Sequence, residues 1–175
     1  MLFRNRTPAT TVWRRFRSGL DGFTFEEVDG HFEARVAANA ERVVDLFYTL
    51  SEHLAPAIDV VLEDQRSEST WNGESVALPD VRDAIARLKV PLATYGGVEI
   101  TLYTPNDQLT LTPQLEFFIY SRNDKWLYLL QGKGLEQRYD IADKNWGSQS
   151  WDRSPAASLS SAIASAAERL SLQPA

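Results

Sequence analysis

The sequence predicts an α+β domain: a mainly antiparallel, curved sheet with helices packed on one face and a long C-terminal helix. Three observations point there. Residues 98–121 alternate apolar and polar side chains, residues 40–54 carry a helical apolar stripe, and Asp29-Gly30 sits between two short alternating runs. The 175 residues fall within the range of one domain, and no repeat or linker divides them. We therefore read 1–175 as a single unit, with 1–10 as a loose basic arm.

Taken in order, Thr11 to Arg17 reads as a strand, and Gly19 and Gly22 supply a turn after it. Phe23–Val28 and His31–Ala37 flank Asp29-Gly30, a pair suited to a two-residue turn because both positions tolerate positive φ. That turn sets Phe25 opposite Ala34 and Phe23 opposite Val36. Asn39 is placed to cap a helix from Ala40 to about Leu54, with Val43, Phe47, Leu50 and Leu54 as its stripe. Ala57 to Glu63 alternates as a strand does. Gln65 to Ser75 is polar around Trp71 and reads as a loop.

Pro79 suits the first turn of a second helix, which Pro91 and Gly96-Gly97 are expected to end. A turn at Pro105-Asn106 pairs Leu102 with Leu109 and Ile100 with Leu111, keeping all four on one face. Leu109 to Ile119 keeps the same parity across Pro113, which requires either a bent strand or a three-residue loop there. Lys125 to Gln131 is expected to add a last strand. Residues 135 to 154 look irregular and hold Trp146 and Trp151. Ser154-Pro155 then opens a helix expected to run from Ala156 to about Leu172.

Composition excludes much chemistry. With no cysteine in the chain, disulfides, thiolate catalysis and iron–sulfur clusters are ruled out together. No run of about 18 to 20 apolar residues is present to span a membrane. The N-terminal stretch also lacks the apolar segment of a secretory signal, so a cytoplasmic location is expected. Arg4, Arg6, Arg14, Arg15 and Arg17 stand in the first 17 residues with no acid, on a chain whose net charge is −6. Arg14, Arg15 and Arg17 are therefore candidates for an anionic partner. The competing reading is an arm that is solvated or pairs with its own acidic body, and with no wider basic face nucleic acid is not expected.

His31 and His53 are the only histidines and lack metal-ligand spacing, so no metal site or cofactor is expected. Gly132-Lys133-Gly134 lacks the phosphate-loop pattern, and no G-x-S-x-G elbow exists. Carboxylate pairs need no spacing in sequence. Asp59 with Glu63, and Glu99 with Glu116, are placed to share sheet faces.

The segment "HFEARVAANAERVVDLFYTLSEHL", residues 31–54, resembles the opening strand and helix of the START/polyketide-cyclase helix-grip family. A meander and a long terminal helix suit that family's order, whereas the helix near 79–88 and the N-terminal hairpin depart from it. The resemblance covers about 24 residues and implies a sheet enclosing a ligand cavity.

The last part of the sheet has a second apolar face. Phe118 and Tyr120 lie opposite the core side of their strand, and the expected strand at 125–131 adds Trp126 and Tyr128, with Tyr103 nearby. Those five residues are the candidate partner or ligand surface. The leading expectation is a non-catalytic binding or regulatory domain that uses this face for a protein partner or self-association. The alternative is a helix-grip ligand fold with an aromatic-lined cavity, extending to a carboxylate-based enzyme. A third reading covers the face within the chain, by the N-terminal hairpins or the Trp146/Trp151 segment.

Overall fold

The computed structural model describes residues 21–139 and 154–175. They form strands β1 (Gly22–Val28), β2 (His31–Ala37), β3 (Ala57–Asp64), β4 (Ser69–Ala77), β5 (Val98–Tyr103), β6 (Asp107–Leu111), β7 (Phe117–Ser121) and β8 (Gln173–Pro174). The helices are α1 (Ala40–Leu50), α2 (Leu78–Tyr95), α3 (Lys125–Gly132) and α4 (Ala157–Arg169). The strand expected at Thr11–Arg17, the turn at Gly19, the three arm arginines, Trp146 and Trp151 lie outside the described residues.

One antiparallel, unclosed sheet runs in the order β1-β2-β7-β6-β5-β3-β4-β8. The fold is thus α+β, although the C-terminal helix has 13 residues and is not long. Turn chemistry sets the local pairings. Asp29 (φ 52°) and Gly30 (φ 79°) both adopt the left-handed conformation, so Phe25 meets Ala34 and Phe23 meets Val36. Leu102 pairs with Leu109 and Ile100 with Leu111. At Pro113 the three-residue loop is the form taken. The Thr112 amide donates to the Glu116 carbonyl at 2.9 Å, and Leu115 turns the chain at φ 61°.

The inner face carries Phe23, Val36, Ile58, Val60, Leu62, Ile100, Leu102, Leu109, Leu111, Phe117 and Ile119, all buried. Helix α1 lays Val43, Val44, Phe47 and Leu50 on this face, and Phe47 meets Phe117 edge-on with ring centroids 5.5 Å apart. Its start is capped as expected, Asn39 Oδ1 accepting from the Arg42 amide at 2.9 Å. Its regular turns stop at Leu50, and a 3₁₀ turn carries the chain through His53. Helix α2 packs against α1, β4 and α4.

Four expectations are corrected. Residues 69–75 of the expected loop are strand, part of β4, next to last in the sheet, whose outward side chains stay wet and polar. Pro91 does not end α2: the helix runs through it to Tyr95 and stops at Gly96, whose φ is 61°. The final helix begins at Ala157, not Ala156, and Ser154 is not its N-cap. Finally, residues 125–132 are helix α3, not a strand.

The cause of the last correction is local. Asn123 Oδ1 accepts from the Lys125 amide at 2.7 Å, and the Asp124 carbonyl accepts from the Leu127 amide at 3.0 Å, starting helical turns directly after β7. Trp126 and Leu130, one turn apart, then face the core together. Trp126 is fully buried, and its Nε1–H donates to Asp107 Oδ1 at 2.8 Å. The same carboxylate oxygen accepts from Ser121 Oγ at 2.6 Å. Asp107 therefore ties β6, β7 and α3 into one joint.

Candidate functional site: the outer face of the sheet

Among the described residues the helices pack on the inner face, and the outward-pointing residues of six adjacent strands line the other. Pairing register arranges them in rows across the strands. One row reads Asp59, Tyr103, Gln108, Tyr120, Glu33 and Glu26. The next reads Val61, Thr101, Thr110, Phe118, Arg35 and Thr24. In a third, Glu63 on β3 stands directly opposite Glu99 on β5.

The aromatic residues form a compact group here. Phe118 and Tyr120 stack with centroids 6.4 Å apart and planes 10° from parallel. The Arg35 guanidinium lies over the Phe118 ring at 5.8 Å and pairs with Glu116 at 3.0 Å. Tyr103 and Tyr120 are each 37% exposed, flanking Gln108. Thr101 and Thr110 are buried, their hydroxyls 3.3 Å apart.

Of the five aromatic candidates, the structure brings together Tyr103, Phe118 and Tyr120. Trp126 and Tyr128 are not part of this face, because α3 turns back under the sheet's inner side. Trp126 is core and Tyr128 is an exposed helical residue, 63% accessible. The expected contacts of Tyr120 with Trp126 and of Phe118 with Tyr128 do not form. Their partners are instead Gln108 and Glu33 for Tyr120, and Thr110 and Arg35 for Phe118.

Charge is the second property of the face. Glu26, Glu33, Asp59, Glu63, Glu99 and Glu116 are carried on it against Arg35. Two of the cross-strand pairs, Glu26–Glu33 and Glu63–Glu99, set like charges opposite each other. Burial, and then the charge of Glu63, hold the Glu99 carboxyl above the ordinary carboxylate range. Burial, and then Glu33, likewise raise the Tyr120 hydroxyl. Gln65 Nε2 donates to Glu63 Oε1 at 2.5 Å, fixing that carboxylate beside Glu99. Strand composition cannot reveal the Glu63–Glu99 pair, since β3 and β5 are separated in sequence by β4 and α2.

Grooves among the described residues lie elsewhere. One, of about 530 Å³, is lined by Asn72–Val76 with Leu170, Ser171 and Gln173; a smaller one, of about 110 Å³, lies between α2 and α4. The histidines have local roles. His31 Nδ1 is 3.2 Å from the Asp29 carbonyl in the hairpin turn, and His53 rests edge-on against Trp126. Among the described residues, no helix is long and apolar enough to cross a membrane. Compared with protein-family models, with curated proteins and with solved structures, the chain finds no match in any of the three.

Proposed function

We propose that this chain is a non-catalytic binding or regulatory domain of the cytoplasm, whose outer sheet face docks a protein partner or a second copy of the chain. The observation that carries the reading is the pairing of like charges at Glu63–Glu99 and Glu26–Glu33 on a face that also presents Tyr103, Phe118 and Tyr120. Directly opposed like charges destabilise a sheet, so a partner bringing cations gains from relieving them. Aromatic residues, tyrosine above all, supply contact area at little cost in side-chain freedom.

The test compares the wild type with Tyr120→Glu. Light scattering over a concentration range identifies a second copy as the partner if the mass doubles for the wild type and not for the variant. Affinity capture with both proteins examines other partners. A chain that stays monomeric at every concentration, and whose variant keeps each partner of the wild type, overturns the reading.

A further inference from the structure

Reading the outer face as a binding surface leaves two occupants, a second copy of the chain and a different protein, and charge separates them. Two copies joined face to face about a twofold axis set the same patch against itself. Here each copy brings six carboxylates against one arginine, so the patch meets its own sign of charge. On a chain of net charge −6 that encounter is repulsive before any contact forms. We propose that the occupant is a basic segment of a different protein, whose arginine or lysine side chains lie along the row from Asp59 to Glu33. The proposal rests on the reading of this face as a binding surface.

The row itself carries the chemistry. Across five neighbouring strands it reads Asp59, Tyr103, Gln108, Tyr120 and Glu33. Both tyrosines and both carboxylates are exposed. Asp59 accepts one bond, from the Ser75 amide at 2.9 Å, and among the described residues Glu33 has no ion-pair partner. Gln108 Nε2 donates to Thr110 Oγ1 at 3.1 Å, which leaves its Oε1 as an acceptor between the tyrosines. Strands lie about 4.8 Å apart, so Tyr103 and Tyr120 stand about that far to either side of Gln108. A cation over Gln108 then comes within the ~6 Å at which an aromatic ring attracts it. An arginine or lysine also brings an apolar stem that covers a tyrosine while its charge reaches Glu33 or Asp59. Rings, amide oxygen and flanking carboxylates thus ask for one kind of group, a positive charge on an apolar stem.

The test titrates the full chain at low salt with hexa-arginine and with hexa-glutamate, followed by NMR. Six extended residues cover about 20 Å, enough to run from Asp59 to Glu33. Hexa-arginine is expected to shift the signals of Tyr103, Gln108 and Tyr120, and hexa-glutamate to shift none. Tyr103→Leu and Tyr120→Leu keep the charge of the chain and remove a ring. Each should weaken hexa-arginine binding about twofold to fivefold, and the double variant about tenfold. Glu33→Gln should weaken it by up to about fivefold. Glu168→Gln makes the same charge change at an exposed position of α4 and should leave affinity unchanged. Shifts spread evenly over the molecule, binding that the double variant keeps in full, or no binding at millimolar peptide overturns the proposal. So does a mass that doubles for the wild type and not for Tyr120→Glu, because the occupant is then a second copy and the face reading stands without this inference. The face reading fails separately, when Tyr120→Glu keeps every partner of the wild type.

Discussion

Replacing Glu99 with Gln should stabilise the protein at neutral pH, and the structure fixes both the size and the pH dependence of the gain. Glu99 is partly buried and faces Glu63 across the β3–β5 ladder, and both effects raise its pKa above the ordinary 4.5. A carboxyl with a raised folded-state pKa binds its proton more tightly folded than unfolded. Stability therefore falls as pH rises from about 4.5 through the raised value, and the penalty is complete above it. Glu99→Gln removes the charge and keeps the shape. Directly opposed like charges on a sheet account for about 0.2–1 kcal/mol, the least gain expected near neutrality, with relief of the buried charge adding to it. At roughly pH 3, where the Glu99 carboxyl is protonated in either state, the difference should vanish. Urea denaturation across that pH range measures it. With a slope of about 2 kcal/mol/M, the midpoint moves up by at least about 0.1–0.5 M at neutral pH. Glu63→Gln should give a smaller gain, because it removes the repulsion and leaves the burial of Glu99. A variant less stable than wild type at neutral pH, or equally more stable at both ends, refutes the reasoning.

Asp107→Ala should leave Ser121 Oγ–H and Trp126 Nε1–H without their acceptor, at about 1–3 kcal/mol each. Thermal unfolding should come roughly 4–20 °C lower. Trp126→Phe should cost less, since it leaves the Ser121 bond in place; the reverse order would contradict this account of the joint. Pro91→Ala should raise stability by up to about 3 kcal/mol, by supplying an amide donor inside α2 and removing the ring's clash with the preceding turn. A loss of stability on that change would show that the proline's packing outweighs the missing bond.

The parts of the fold legible in the sequence are those that turn parity controls. Asp29-Gly30 and Pro105-Asn106 each allow one register that keeps the apolar residues together, and those registers form. Segment 125–132 misleads because KWLYLLQG is apolar on every side, so period 2 and period 3.6 fit it alike. The buried tryptophan with its Asp107 acceptor decides for helix, and Asp107 lies on another strand. Strand β4 hides for the opposite reason: STWNGESVA places polar residues outward and has a glycine where Leu172 presses close. On the candidate face, Phe118 and Tyr120 are visible from alternation alone. The Glu63–Glu99 pair is not, because strand order and not strand composition makes β3 and β5 neighbours.

The strand order also has a consequence for the chain as it is being made. The β1–β2 hairpin is complete by Ala37, yet the strand beside it, β7, ends at Ser121. During synthesis β2 therefore keeps an open row of amides and carbonyls until more than 80 further residues have been added. At a typical rate of about 5–20 residues per second, that interval lasts several seconds. Glu26, Glu27, Asp29 and Glu33 against Arg35 leave that small hairpin with a net charge of −3, and like-charged edges repel one another. The charge that opposes itself across the finished β1–β2 ladder, at Glu26–Glu33, therefore also disfavours edge-to-edge pairing of this hairpin with a like one.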